Sequence, residues 1–323
     1  MPQKNSAFLK IGDEIGFTII TPVYNREDCL KHCIDSVVIQ NYSNMEHWII
    51  DDGSDDDTFK IIQEYASKYP WIKHHRFEQN KGVNAARNFG IKNATKNYIL
   101  FLDSDDYFLN NALAFVNDAI IQNPGYNHYL FAQNDMIALF EKNPLLSQNK
   151  TAFTFADFLA GRICMDFVHV MATDLIRKFP FDEDLRIYEI LNFLQIYKEG
   201  KNQLFVKEVI VNRERDRSDS VTKESRLNNS DALTKQYIFL MRKLELFEKD
   251  YLNYQAEKEL TYITQRAFLL GIALEKTETN RALQKLAKRN KIKIPIIYKM
   301  AEFFRMSFVL RQAIFIYSRI KNS

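Results

Sequence analysis

Between residues 17 and about 125 this chain switches repeatedly between two periodicities, and polar clusters fall where one gives way to the other. Phe17–Thr21 is a short β-rich run. Asp28–Gln40 then carries Leu30, Cys33, Ile34, Val37 and Val38 at helical spacing. His47–Ile50 predicts a second strand, and residues 57–67 a helix with Phe59, Ile61, Ile62 and Tyr65 as its apolar positions. Trp71–Phe77 predicts a third strand. A helix from about Val83 to Lys92 leads to the apolar run Tyr98–Leu102, which reads as a buried strand. This order predicts an α/β fold with a mostly parallel sheet and helices on both faces. In such sheets ligands sit beyond the carboxyl ends of the strands.

The polar clusters stand at those ends: Pro22–Arg26 after the first strand, Asp51–Ser54 after the second, Asp103–Asp106 after the fourth. The last is the most demanding. Three carboxylates follow a buried strand, where like charges repel and desolvate poorly. A cation is expected there. A divalent metal carrying a phosphate ester is the simplest choice, because hard cations take oxygen ligands and share them with substrate phosphates. Local alternatives exist for each cluster. Asn25 can cap the first helix, Asp52-Gly53-Ser54 is a turn sequence in its own right, and Asp106 can cap a helix starting near Leu109. That cap would explain one carboxylate of the three.

Composition narrows the class. The chain has 323 residues, 46% hydrophobic and 26% charged, as expected of one large globular domain or two smaller ones. A net charge of +3 is too small to argue for a nucleic-acid partner. Three sparse cysteines fit a reducing compartment, and Cys29 and Cys33 read as core packing. Met1–Lys10 lacks a signal-peptide pattern, and no run reaches the roughly 18–20 apolar residues of a membrane span. The expected location is cytoplasmic, at most peripheral on the cytoplasmic face of a membrane. Tyr126–Phe140 predicts one or two strands, Ile187–Lys198 a helix, and Gln203–Val211 a strand. Beyond Asn228 nearly everything reads as helix. Residues 281–323 hold eleven Lys or Arg against one acid, Glu302, interleaved with Ile, Phe, Met and Tyr. Such a segment suits an anionic membrane surface, or a helical subdomain packed on the rest of the chain or on a second copy.

Four ordered motifs now stand together: Thr21-Pro22-Val23-Tyr24-Asn25-Arg26, Asp51-Asp52-Gly53-Ser54, the stretch Asn80–Asn88, and Asp103-Ser104-Asp105-Asp106. They resemble glycosyltransferase family 2, whose fold is GT-A, closely over residues 17–125 and more weakly to about 225. The resemblance implies an N-terminal extension over 1–16 and a GT-A domain over 17–225, with a donor half to 125 and an acceptor half beyond. A helical basic region follows over 226–323. It implies a metal-dependent, inverting transfer of sugar from a nucleotide-sugar donor, UDP-linked, to a hydroxyl of a glycan or lipid-linked acceptor. Cell-surface polysaccharide synthesis is the expected setting. In that frame Pro22, Tyr24, Asn25 and Arg26 wrap the nucleobase and ribose. Asp51 accepts a uracil N–H, with Asp52 beside it. Arg87 faces the diphosphate and Asn88 holds its loop. Asp105 coordinates Mn²⁺ or Mg²⁺, Asp103 contacts the ribose or the metal shell, and Ser104 belongs to the donor site.

Two departures qualify the resemblance. The family's catalytic base comes from an acidic pair, usually Glu-Asp, and here Tyr188-Glu189-Ile190 puts isoleucine at the second position. The resemblance then leaves Glu189 as base, with Asp182, Glu183 or Asp184 as substitutes, or else a relative that binds donor without catalysis. The basic-plus-serine stretch Arg213–Ser220 lacks the metal-binding histidine of some relatives. Arg215 or Arg217 would neutralise phosphates, with Ser218 and Ser220 as donors, unless the loop pairs its own charges. His169, alone among apolar residues, reads as packing. A sugar nucleotidyltransferase would carry a glycine-rich loop after the first strand, and Thr21–Arg26 contains no glycine.

Overall fold

In the computed structural model of this chain, residues 15–214 and 229–321 are described. The donor half is β1 (Phe17–Val23), α1 (Leu30–Val38), β2 (Met45–Asp51), α2 (Thr58–Lys68), β3 (Ile72–Arg76), α3 (Val83–Asn93) and β4 (Tyr98–Phe101). Each element lies within a few residues of where its periodicity put it. There follow β5 (Tyr107–Phe108), α4 (Ala112–Gln122), β6 (His128–Gln133), α5 (Ile137–Lys142), β7 (Lys150–Thr154), α6 (Phe155–Leu159) and β8 (Val168–Ala172). Then come α7 (Thr173–Ile176), α8 (Ile190–Gly200) and β9 (Asn202–Asn212). The helical end is α9 (Ser230–Asn253), α10 (Glu257–Ala273), α11 (Thr277–Arg289), α12 (Ile296–Phe303) and α13 (Ser307–Lys321).

The nine strands form one sheet, ordered β3-β2-β1-β4-β8-β6-β9-β5, with β7 paired to β9. Strands β3, β2, β1 and β4 are all parallel, as the βα alternation requires. The antiparallel pairs lie in the second half, where β8 joins β4 and β6. Alternation along β1 serves both faces. Phe17 and Ile19 pack with Cys33 and Val37 of α1 and with Leu113 and Val116 of α4. Ile20 faces α3 so closely that a Cβ on Gly90 would sit 2.6 Å from the Ile20 Cγ2. The stretch Tyr126–Phe140 is one strand followed by a helix, not two strands. Past Gln133 the alternation stops, and Phe140 is the buried residue of the short α5.

Two compact units divide the chain. The first comprises the residues up to Phe155, Met165–Arg186 and Gln195–Glu214. The second comprises Ala156–Cys164, Ile187–Leu194 and the residues from Arg215 onward.

Candidate functional site

Parallel register sets Val23 beside Asp51 and Ile20 beside Phe101, so the loops after β1, β2 and β4 leave one edge of the sheet. The first two are sewn together. Asn25 adopts a left-handed φ of 50°. Its N–H donates to Ser54 Oγ at 2.9 Å, and its Oδ1 accepts from the Asp55 N–H at 2.9 Å. The Arg26 N–H donates to Thr58 Oγ1 at 2.8 Å. Asn25 therefore bridges loops and does not cap α1; Cys29 holds the cap position, with no side-chain cap bond. Pro22 is buried in β1, while Tyr24 stands exposed and Arg26 half-buried.

Asp51 is fully buried. Its Oδ1 accepts from the Ser54 N–H at 3.0 Å and from Ser54 Oγ at 2.5 Å. Its Oδ2 lies 3.2 Å from Arg76 Nε, an ion pair across the β2–β3 register. Arg76 also donates to the Ser54 carbonyl at 2.7 Å and rests 4.9 Å over the Phe59 ring. None of the four sequence motifs includes Arg76. The available signal was a cation ending one predicted strand beside an acid ending its neighbour, but using it requires the register. Asp52 has a different task. Its Oδ1 and Oδ2 accept from the N–H groups of Lys81 and Gly82 at 2.7 and 2.8 Å, which fixes the entry to α3. Burial raises the Asp52 carboxyl above its ordinary range.

Helix α3 grips two segments at once. Arg87 Nη2 donates to Asp103 Oδ1 at 3.0 Å, and its guanidinium lies over the rings of Phe101 and Phe181 at 5.5 and 5.9 Å. Asn88 clamps Phe181: its Nδ2 donates to the Phe181 carbonyl at 2.9 Å, and its Oδ1 accepts from the Phe181 N–H at 2.8 Å. Asn88 Nδ2 also reaches Glu183 Oε1 at 2.9 Å, while Asn84 donates to the Asp182 carbonyl at 2.8 Å. Three residues spaced along one helical turn thus bind the acidic loop after β4 and the acidic segment 181–183.

The acidic loop itself is held from beneath. Cys33 and Cys29 point their Sγ at the carbonyls of Asp103 and Ser104, each at 3.6 Å. Core packing is therefore only part of what the α1 cysteines do. Asp103 and Asp105 are half-buried and Ser104 is buried. Burial, then the charges of Asp103 and Asp105, push the Asp106 carboxyl up to about 8, with Arg213 opposing. Arg213 Nε lies 3.8 Å from Asp106 Oδ2, and its Nη1 lies 3.4 Å from Asp166 Oδ2. The N-cap alternative for Asp106 fails, because α4 starts at Ala112 with Asn111 before it. Among the described residues no group of three or more His, Cys, Asp and Glu is arranged to hold a metal by protein ligands alone. The donor set still suits Mn²⁺ or Mg²⁺. Those ions take one or two carboxylates and complete their shell with water and substrate phosphates, and the loop after β4 brings Asp103, Asp105 and Asp106 together in one short segment.

Glu189 belongs to the second unit, just ahead of α8. Its Oε1 accepts from the Ile187 N–H at 3.3 Å. Ile187 has φ 72°, and a β-branched residue in the left-handed region stores about 1–3 kcal/mol of strain. Ile190 is exposed. Asp182 is half-buried and Asp184 exposed; the Asp184 N–H donates to Asp182 Oδ1 at 3.1 Å. His169 packs in the interior, but not alone. Its Nδ1 is hydrogen-bonded to His128 Nε2 at 2.9 Å, and Tyr197 stacks on His128 at 5.4 Å. Burial lowers His169 to about 3 and keeps both rings neutral. Arg215, Arg217, Ser218 and Ser220 lie outside the described residues.

Comparison with known proteins gives the arrangement a family. The profile of Glycosyl transferase family 2 matches residues 18–169. Glycosyltransferase GlyA of Streptococcus pneumoniae is 41% identical over 90 residues, 28% of this chain and 13% of GlyA. The GalNAc(5)-diNAcBac-PP-undecaprenol beta-1,3-glucosyltransferase of Campylobacter jejuni is 28% identical over 191 residues, 56% of this chain and 60% of that enzyme. The chain thus spans less than two thirds of either relative. In shape it is similar to residues 1–349 of TarS from S. aureus, solved in complex with UDP-GlcNAc. The TM-score is 0.61 at 17% identity, over 95% of this chain and 92% of that one. The matched region contains all four motifs, so residues 18–169 match a glycosyl transferase family 2 domain, and the fold is GT-A.

Proposed function

We propose that this protein is an inverting glycosyltransferase that moves a sugar from a nucleotide-sugar, UDP-linked, to a hydroxyl of a cell-surface glycan or lipid-linked acceptor. The observation that carries this reading is the shared rim: the loops after β1, β2 and β4 bring a buried Asp51, the Arg87–Asp103 pair and the Asp105 carboxylate to one sheet edge. The family domain and the relatives' own activities support it.

The rim divides the labour. Asp51, oriented by Ser54 and Arg76, accepts the uracil N–H. Tyr24, Asn25 and Arg26 line the nucleoside, with Pro22 setting the exit of β1. Asp52 keeps the α3 entry in place, so that Arg87 holds Asp103 toward the ribose and diphosphate, beside Ser104. Asp105 and Asp103 would hold Mn²⁺ or Mg²⁺. When bound, the cation offsets the charge of the departing diphosphate. The acceptor oxygen attacks the anomeric carbon from the face opposite the diphosphate, the carbon–oxygen bond to the diphosphate breaks, and the acceptor proton passes to Glu189. Arg215 and Arg217 are proposed as further phosphate partners.

Calorimetric titration of UDP with and without Mn²⁺ tests the donor site on wild type and Asp105→Ala. Metal-dependent binding by wild type alone is expected, and equal binding by both proteins would refute the metal assignment. One observation favours a second reading, donor binding without transfer: Ile190 stands where the family places an acid. UDP release from a UDP-sugar that stops in Glu189→Gln supports the enzyme. Metal-dependent UDP binding with no turnover in wild type supports the alternative.

A further inference from the structure

Helix α12 of the second unit and the turn into α13 are amphipathic, yet they present large apolar side chains outward; farther along α13, Ile314 is buried. Glu302, Ser307 and Arg311 turn toward the unit's own helices, while Lys299 and Arg305 are exposed. Glu302 accepts from Gln284 Nε2 at 2.8 Å. Ser307 Oγ donates to Glu275 Oε1 at 2.8 Å, and Arg311 Nε donates to the Ala273 carbonyl at 3.1 Å. Small Ala301 is the buried residue of α12. The large apolar side chains point the other way. Ile296, Met300 and Phe303 recur at helical spacing and are exposed, Ile296 by 77% and Phe303 by 81%. The turn into α13 continues the surface with Phe304 and Phe308, both exposed. Apolar side chains exposed in such succession mark a surface that meets something.

Charge says what it meets. The segment 281–323 holds eleven basic residues and one acid, with Lys291, Lys293, Lys299 and Arg305 flanking the apolar positions. A second copy docked through the same face would bring this basic segment against itself, since a two-fold contact pairs a patch with its own image. Anionic lipid headgroups complement it. No described helix is long and apolar enough to cross a membrane, which leaves the interfacial mode: apolar side chains among the acyl chains, lysines and arginines at the headgroups. We propose that the outward face of α12, its turn and the start of α13 dock this protein on the surface of an anionic lipid bilayer.

Vesicle co-sedimentation of the full chain tests this. Phosphatidylglycerol vesicles should carry down at least ~10-fold more protein than phosphatidylcholine vesicles, and added salt should release it. Phe303→Ser/Phe304→Ser/Phe308→Ser should abolish sedimentation without changing the far-ultraviolet circular dichroism or the melting temperature. Lys293→Gln/Lys299→Gln, which leaves the apolar face intact, should weaken it several-fold. Failure to bind either vesicle, or equal binding to both, would overturn the proposal. So would a lipid-free dimer that the triple variant dissociates, because the face would then belong to a second copy.

Discussion

Asp51, Asp52 and Asn84 are buried at the strand-end rim, whereas Phe303, Phe304 and Phe308 stand in solvent around the turn from α12 to α13. Each region inverts the usual distribution of polar and apolar groups, in opposite senses. At the rim the inversion is supported internally: Ser54 bonds Asp51, Arg76 forms an ion pair with it, Lys81 and Gly82 bond Asp52, and Asn84 donates to a carbonyl. In the C-terminal pair Phe303, Phe304 and Phe308 are left exposed, while Glu302, Ser307 and Arg311 are engaged inward. A buried polar site is thus built by pairing within the chain. An exposed apolar one is built by leaving pairing to a partner.

The comparison yields four expectations, in falling order of effect. Arg87→Ala removes the cation that holds Asp103, and the initial rate of UDP release should fall ~100-fold. A fall below threefold would mean that Asp103 is positioned without it. Gly90→Ala forces a Cβ against Ile20 beneath the rim, and urea unfolding should record a loss of about 1–3 kcal/mol. An unchanged midpoint would show that α3 can lift off β1 without strain.

Protonation separates the interior from the helical end. Burial lowers His47 and His169 to about 3 and holds His128 well below its ordinary value, so all three are neutral when folded. Unfolded, they titrate near 6.5. Their contribution is complete above that pH and is lost as pH falls from about 6.5 toward 3. His47→Asn should remove at most ~1.4 kcal/mol per pH unit of that slope, read from urea midpoints across the window. A slope identical to wild type would contradict a neutral buried ring. Last and smallest, Phe303→Ser should shift stability by less than about 0.5 kcal/mol, because little of that side chain is withdrawn from water. A larger loss would mean that α12 uses it for packing.

Much of the first unit was legible because its signals are local. Alternating periodicity predicts β1 to β4 and their helices, and the parallel order that follows puts the acidic clusters on one rim. The helical end was equally plain from its scarcity of glycine and proline. Less legible were features that depend on contacts distant in sequence. Arg76 meets Asp51 only through the β2–β3 register. Arg213 reaches Asp106 because β9 pairs with β5. His169 is paired because β6 lies beside β8. The stretch after Gln133 misled because its apolar residues support a strand as well as a short helix at that length.

Four motifs, their order and their strand-end placement determined, from the chain alone, the fold class and the edge of the sheet on which the polar clusters gather. Those properties follow from hydrophobic period and from the geometry of βα crossovers, both written into neighbouring residues. Tertiary structure alone decided what each polar residue does there: Asn25 as a bridge, Asp52 as the anchor of α3, Arg87 as the partner of Asp103, and the outward turn of Phe303. Such roles depend on which groups meet across the fold, and one-dimensional spacing carries no record of those meetings.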